Sequence, residues 1–574
     1  FIMKNNKTLL IGCIVFPLAI IIAFAIGFAS TIGKGTKSTP KMPSDAWLKV
    51  NPSAAIADYN EIQPLKWFGS SGSSAEELVS KIRAAATDKR IKGMLIEPVF
   101  VTANLPALAE IGSAITEFKQ SGKPVVAYAD YYSQGDYLLA TYANEIYMDP
   151  SASAGLILEG VAANLTFYKE LFDKLGIKMH ILQSGEYKGA GEPYSQTSLS
   201  PGTRDNIDAV LKDRYALLLQ NLAQRRKLKL EEITAVFETR DDFFLSADKA
   251  KAMKLIDFPM NRDAMLAKLN LDEEQFISIA DYSAEQPKAK KTKIAVVYLS
   301  GEISPAAGKE FGGDAMISAS KVRKVIKEIK KDKAVKAVVL RINSPGGSAL
   351  ESEKIYQQLI KLKQDIPIMV SMGGVAASGG YYISCASDYI MADEATITGS
   401  IGVIMMIPES EGLGKKLGLR TQTLKHGKFA GAFNMFQSYD PVILQSLRNS
   451  STATYDEFKA RVISARKYEA GSIDSVAEGR VFSAAAAKKN RLIDEIGSLE
   501  DAISKAATKA GINNYSVVNF PEQSTFFDML KESDLMKMKQ ALRIYLDPTA
   551  ELERTLRTLP ATQEWQYLMP YKLD

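Results

Sequence analysis

The strongest constraint on the fold is a stretch that occurs twice. Ser246–Asp257 reads SADKAKAMKLID and Ser483–Asp494 reads SAAAAKKNRLID, and seven of the twelve positions match without a gap. Two further pairs keep the same order. Asp88-Lys89-Arg90-Ile91-Lys92 parallels Asp332-Lys333-Ala334-Val335-Lys336, and each leads into a short apolar run. Lys123-Pro124-Val125-Val126 and Ile366-Pro367-Ile368-Met369 follow, each opening another. The offset stays at about 240 residues, so the repeated unit is a whole domain and not a short solenoid module. A chain of 574 residues has room for three or four ordinary domains or fewer large ones. The duplication points to two large ones.

The second copy shows what the unit is built from. Ile294–Leu299 is an apolar strand. Ser318–Lys331 sets Val322, Val325, Ile326 and Ile329 at helical spacing with lysines opposite. Ala337–Ile342 is a continuous apolar strand broken only by Arg341; Leu350–Leu362 reads as a helix and Pro367–Met372 as another strand. Such alternation predicts a parallel sheet covered by helices. Functional loops in such sheets follow the C-terminal ends of strands. Asn343–Gly347 (NSPGG) and the stretch GGVAASGG around Ser378 both take that position. The polar segment Asp281–Lys293, with Pro287, separates the copies. The expected division is 1–38, 39–286, 287–520 and a tail, 521–574. The tail carries Leu535-Met536-Lys537-Met538, a short amphipathic pattern read as a packing or oligomer element.

Composition removes several function classes. The 71 basic and 66 acidic residues nearly balance, and no basic stripe interleaved with aromatics marks a nucleic-acid surface. The two cysteines, Cys13 and Cys385, offer neither a disulfide framework nor zinc-ligand spacing. No metal or cofactor is expected. Thr8–Gly33 runs 26 residues without a charge, preceded by Lys4 and Lys7. That length spans a bilayer core, and the positive flank sets the N-terminus in the cytoplasm with the remainder exported. An uncleaved anchor is the expected reading. A cleavable signal peptide ending near Ala23-Phe24-Ala25 is the alternative.

Ser378 raises the chemical question. It stands where an apolar strand gives way to a helix running through Tyr381, Tyr382 and Ile383. A helix start offers unbonded N–H groups and positive partial charge, so the N–H of Gly379 can face an oxyanion. Gly346 or Gly347 on the neighbouring loop can supply a second donor. A serine nucleophile needs a base, yet the chain has only His180 and His426, and no spacing makes either one part of a triad. The copies supply another route. Aligned through Pro124 and Pro367, Ser378 falls opposite Gly135. Aligned at their first glycines, GEYKGAG (Gly185–Gly191) and GKFAGAF (Gly427–Phe433) set Lys188 opposite Ala430. One copy has the lysine without the serine, the other the serine without the lysine. A Ser–Lys dyad split between the copies explains both absences, provided burial lowers the lysine's pKa. Glu186 and Glu192 must then point away from Lys188. Each residue has an ordinary alternative: Ser378 as a helix N-cap, Lys188 as a solvated loop lysine, the histidines as packing groups.

These motifs together, with INSPGG and TGSIGV (Thr398–Val403), resemble the signal peptide peptidase A family (protease IV, peptidase family S49) in its long, duplicated bacterial form. The resemblance covers about Ser44 to Phe520. It implies two tandem ClpP/crotonase-like α/β domains with parallel sheets, behind one N-terminal transmembrane helix. It implies Ser378 as nucleophile, Lys188 as general base, Gly379 and Gly347 as oxyanion donors, and Ser400 as a hydrogen-bond partner of the lysine. It further implies a bacterial inner-membrane protein, single-pass, with its catalytic body on the periplasmic side. That protein would assemble as a homotetramer and act on signal peptides and other apolar peptides left in the membrane. The small residues Ala376, Ala377, Gly379 and Gly380 predict narrow pockets beside the scissile bond. One departure stands out: Arg491 precedes LID where the family has glycine. Two rivals share the fold, a crotonase-like acyl-thioester enzyme and a non-catalytic membrane scaffold. Retention of both Ser378 and Lys188 argues against each.

Overall fold

The structure is a computed structural model that describes residues 42–60, 73–283, 290–305, 316–469, 471–523 and 566–568. The apolar stretch Thr8–Gly33 lies outside these residues, as does most of the tail. Among the described residues no helix is long and apolar enough to cross a membrane.

Each copy builds a parallel sheet, and the strand order is the same in both. In the first it runs Phe258–Pro259, Glu145–Met148, Val125–Ala129, Ile91–Ile96, Ala46–Val50, Phe276–Ser278. In the second, Glu495–Ile496, Tyr389–Ala392, Ile368–Ala377, Val335–Ser344, Lys293–Ser300 and Ser516–Phe520 follow in the same sequence. Buried on both faces, these strands read as continuous apolar runs and not as alternating ones. Val335–Ser344 shows the consequence, since its fully buried residues are interrupted by the charged Arg341.

The repeated LID has a physical cause. Asp257 accepts the backbone N–H of Ile146 and pairs with Arg226 at 2.8 Å. Asp494 does the same with Ile390 and Arg466. Both arginines come from the last turn of a 26-residue helix, Pro201–Arg226 and Pro441–Arg466. A tyrosine hydroxyl donates to the leucine carbonyl of each motif, Tyr137 to Leu255 and Tyr381 to Leu492. The residue before each LID is left-handed, Lys254 at φ 58° and Arg491 at φ 58°. That conformation favours glycine, which accounts for the family habit at this turn. Arg491 adopts it with its guanidinium over the Tyr468 ring.

The expected elements of the second copy form at Lys293–Ser300, Ala319–Lys331, Val335–Ser344, Ala349–Lys363 and Ile368–Ala377. The difference lies in GGVAASGG, expected as a loop. Its first half continues the strand to Ala377, and Gly373 and Gly374 are needed there for close packing. A Cβ on Gly374 would stand 2.7 Å from the Cβ of Asn104, a residue of the first copy.

The halves meet through specific contacts. Tyr59 stacks on Tyr298 with ring centroids 4.4 Å apart. Asn206 exchanges two hydrogen bonds with the backbone of Val481. A second sheet crosses the junction: Lys178–Ser184 of the first copy pairs antiparallel with Val403–Glu409 of the second, Ser184 opposite Val403.

Candidate active site

That crossing pair fixes the lysine. The chain turns directly after Ser184, through Gly185–Tyr187, and Lys188 stands at the entry of the short helical turn Gly189–Gly191. The backbone of Glu478 accepts the N–H of Tyr187 at 2.7 Å, and the Glu478 carboxylate accepts the N–H of Glu186. Glu478 is itself held by the Tyr455 hydroxyl at 2.9 Å. The second copy therefore grips the loop on both sides of the lysine.

Ser378 is presented by a strained backbone. It links the strand Ile368–Ala377 to the helix Gly379–Ser384 at φ 55° and ψ −114°, and its side chain makes no cap hydrogen bond. A non-glycine residue at positive φ persists only where its surroundings enforce it; here the Ser378 N–H donates to the Gly399 carbonyl at 2.8 Å. The N-cap alternative fails, because the hydroxyl points elsewhere.

It points at the lysine. Lys188 Nζ lies 2.7 Å from Ser378 Oγ, 2.8 Å from the Ser400 carbonyl oxygen and 2.9 Å from Ser400 Oγ. Lys188, Ser378 and Ser400 are all fully buried. Burial holds the Lys188 ammonium's pKa well below its ordinary value, with no carboxylate opposing. Glu186 is exposed. Glu192 is buried but turned toward the Ser200 and Thr203 hydroxyls at 2.7 and 2.8 Å. Both leave the lysine alone, as the split dyad requires.

Gly379 supplies the first N–H of its helix, which no helical carbonyl can accept. Its Cα side packs on Gly346, where a Cβ would come within 3.2 Å of the Gly346 Cα. Gly347 sits at φ 147°, and a Cβ there would strike the Ile303 carbonyl oxygen at 2.0 Å. Gly379 follows Ser378 directly, and the Gly346 on which it packs is the chain neighbour of Gly347. The histidines stand apart. His180 Nε2 pairs with Glu409 at 2.8 Å beside the Tyr439 ring, and His426 is exposed.

Two residues escaped the sequence reading. A Cβ on Gly479 (φ 83°) would lie 2.5 Å from the Lys188 backbone nitrogen, and one on Gly402 would lie 3.1 Å from Lys188 Cδ. These glycines let two backbones close around the lysine stem. Only the second glycine of TGSIG carries a local hint.

The first copy is built differently at the position opposite Ser378. Gly135, opposite Ser378, has no room for a side chain, since a Cβ would meet the Val101 carbonyl oxygen at 2.3 Å. Asp136 beside it is fully buried and accepts the N–H groups of Phe100 at 3.2 Å and Val101 at 2.8 Å. These donors lie on the strand Val99–Ala103, which follows Ile91–Ile96 as Gly346–Ser348 follows Val335–Ser344. In the first copy, then, a carboxylate of the chain itself takes up these backbone N–H groups.

The model of peptidase family S49 matches residues 117–275 and 360–513, together more than half of the chain. The chain belongs to peptidase family S49. Part of the second copy, 315–397, also matches the Clp protease model, in keeping with two ClpP-like α/β units built on parallel sheets. Protease 4 of Salmonella typhi is 32% identical over 81% of this chain and 78% of its own length. A chloroplastic serine protease SPPA of Arabidopsis thaliana is 29% identical over 78% of this chain and 67% of its own. A protein named putative signal peptide peptidase SppA, from Enterococcus faecium, is 32% identical over 42% of this chain and 70% of its own. This S49 chain is a serine protease.

Proposed function

We propose that this protease cleaves apolar peptides, signal peptides among them, with Ser378 as nucleophile and Lys188 as general base. The observation that carries the reading is the 2.7 Å contact between Lys188 Nζ and Ser378 Oγ in a fully buried setting. A neutral amine has two N–H bonds and one lone pair. The carbonyl and hydroxyl oxygens of Ser400 take the two N–H bonds, which leaves the lone pair facing the Ser378 hydroxyl. Ser378 Oγ attacks the scissile carbonyl as its proton passes to Lys188. The N–H groups of Gly379 and Gly347 receive the oxyanion. The ammonium then protonates the departing amine, and the acyl-enzyme is released by a water that Lys188 deprotonates in turn. The signal-peptide assignment takes its support from the naming of the Enterococcus faecium relative.

The test is labelling with a fluorophosphonate that modifies reactive serines. The wild type should be labelled at Ser378, Ser378→Ala should not be labelled, and Lys188→Ala only at a small residual rate. Equal labelling of Ser378→Ala and wild type would refute the nucleophile. Loss of the hydroxyl removes one small polar group, so the Ser378→Ala protein should fold.

The lysine pocket gives a second expectation. Gly479→Ala places a methyl against the Lys188 backbone at a left-handed position. Displacing a catalytic group by about 1 Å can cost roughly 10²-fold in rate, so kcat should fall by about that factor. Gly402→Ala, whose nearest clash is milder, should lose less. Steady-state kinetics of both variants, beside their thermal unfolding, checks the order.

The anchor, the exported side and the tetramer belong to the same proposal. Thr8–Gly33 would hold the protein in the inner membrane with Lys4 and Lys7 in the cytoplasm. Protease added to intact spheroplasts should then digest the catalytic body; full protection until lysis would reverse the topology. Native mass of the detergent-purified protein reads the subunit number directly.

A further inference from the structure

We propose that Glu478 is a positioning residue for catalysis: with Gly479 and Arg480 it clamps the loop that carries Lys188 to the turn that carries Ser400, and so sets the base against its acceptors. The proposal rests on the dyad reading above. Three consecutive residues reach both sides of the amine. On one side the Glu478 carbonyl accepts the N–H of Tyr187 at 2.7 Å, and its Oε2 accepts the N–H of Glu186 at 3.0 Å. On the other, the Gly479 N–H donates to the Ile401 carbonyl at 2.8 Å, and the Arg480 carbonyl accepts the N–H of Ser400 at 2.6 Å. Arg480 also lays its guanidinium over the Tyr187 ring, 3.9 Å from the centroid. Lys188 comes from the first copy and the clamp from the second, so this segment ties the copies together at the amine itself.

The clamp is itself held in an unusual shape. Glu478 is left-handed at φ 60°, a conformation that a residue with a Cβ keeps only where its surroundings enforce it. The Tyr455 hydroxyl enforces it from two directions, accepting the Glu478 N–H at 2.9 Å and donating to Glu478 Oε1 at 2.9 Å. Tyr455 is buried and belongs to the helix Pro441–Arg466. The repeat shows which part is special. Tyr215 takes the matching place in Pro201–Arg226, and its hydroxyl donates to Glu238 of its own copy at 3.0 Å. Counted back from the repeated SADKAKAMKLID, Asp241, Asp242 and Phe243 stand opposite Glu478, Gly479 and Arg480, and neither aspartate is left-handed. The tyrosine is common to both copies, while the left-handed Glu-Gly pair belongs to the copy that receives the lysine. No charge near the loop is aimed at the amine. Glu186 is exposed, Glu192 bonds to Ser200 and Thr203, His180 pairs with Glu409, the Glu478 carboxylate is taken up by the Glu186 N–H and Tyr455, and Arg480 covers Tyr187. The clamp therefore acts by keeping the amine in place and dry. Without the carboxylate, the Glu186 N–H and the Tyr455 hydroxyl lose their acceptor together, and the loop can part from the Ser400 turn and admit water.

The test compares the pH profiles of peptide cleavage by the full chain as wild type, Glu478→Ala, Glu478→Gln and Tyr455→Phe. Displacing a catalytic group by about 1 Å can cost roughly 10²-fold in rate, so Glu478→Ala should lose up to about that factor in kcat. KM for an apolar peptide should hold, because none of the clamp's bonds involves Gly379 or Gly347. The midpoint of the rise in activity should move to higher pH, since water at the amine favours the ammonium. Glu478→Gln keeps one acceptor oxygen and should fall between wild type and Glu478→Ala. Tyr455→Phe removes one hydroxyl and little volume; it should move the midpoint the same way by less, and it decides the matter if Glu478→Ala does not fold. A role in stability alone would shrink the folded fraction and leave the midpoint of the remaining enzyme in place. That result overturns the proposal, and so does an unchanged kcat in Glu478→Ala. Lys188→Ala judges the dyad separately. Should that variant cleave like wild type, the base assignment fails, and hydrogen exchange at the Glu186 and Tyr187 amides still decides whether Glu478 holds the loop: faster in Glu478→Ala if it does, equal if it does not.

Discussion

Lys188→Arg should be as inactive as Lys188→Ala, with activity down about 10⁴-fold, the upper end of what a general base contributes. The conservative charge is the wrong one. A guanidinium keeps its proton at any working pH, so Lys188→Arg has no lone pair to offer Ser378. In the wild type, burial is the cause that lowers the Lys188 pKa. The ammonium is disfavoured, and the reactive neutral amine forms at a pH where an exposed lysine is still charged. Activity should therefore rise with pH through that lowered pKa. The same shift bears on stability. Between the lowered value and the ordinary 10.5, the unfolded chain holds a proton that the folded chain has lost. Stability then rises with pH across that window. Lys188→Met removes the dependence: it should unfold at a higher temperature than wild type near neutral pH, and the gap should narrow as pH approaches 10.5. Activity that falls as pH rises from neutrality, or a Lys188→Arg protein with more than a trace of cleavage, would remove Lys188 from the role.

The juxtaposition of Lys188 and Ser378 was legible because an absence was legible. Each copy lacks one member, and the alignment of Gly135 with Ser378 and Ala430 with Lys188 exposes the division. The alternating apolar runs likewise carry the sheets, since strands buried on both faces cannot be written any other way. What stayed hidden depends on backbone brought close from far along the chain. Gly479 looks like any turn glycine until Lys188 is seen against it. Asp136 reads as the capping residue it also is, and nothing local shows that it feeds on the N–H groups of Phe100 and Val101. The tail strand is the extreme case: Gln566–Leu568 has no strong strand pattern, and its position comes from two edges that other segments build, those of Gly346–Ser348 and Val403–Glu409. The amphipathic pattern near Leu535 drew attention to a part of the tail outside the described residues, while the described part pairs beside the nucleophile.

Arg341 was visible as an oddity, a charge in an apolar strand, and the structure supplies its reason. A buried guanidinium must find partners, and it finds them in the other copy. Arg341 is 1% exposed; its Nη2 lies 2.7 Å from Glu110 Oε1 and its Nε 3.5 Å from Asp58 Oδ2. Ser371, on the strand that leads to Ser378, accepts from Nη1 at 3.1 Å. Burial pushes the Glu110 carboxyl up to about 7 despite the opposing pull of Arg341, and burial raises that of Asp393 as well. Arg341→Met leaves these acids without their cation. Breaking a buried pair from one side costs about 3–5 kcal/mol, and that loss is expected in chemical denaturation at pH 8. The pH dependence has a definite sign. Glu110 titrates higher in the folded protein than its ordinary 4.5, so the stability linked to its proton is full below that value and lost as pH rises through about 7. Without Arg341 the carboxyl is harder still to ionise, so the variant's deficit should be smallest near pH 5 and largest at pH 8. Adding Glu110→Gln should recover part of it, because the neutral amide no longer needs the cation. Lys188 comes from one side of this junction and Ser378 from the other, so cleavage should fall together with stability in Arg341→Met and return with it in the double variant. A deficit at pH 8 below about 1 kcal/mol, the worth of an exposed pair, would mean that Arg341 does not hold the halves together.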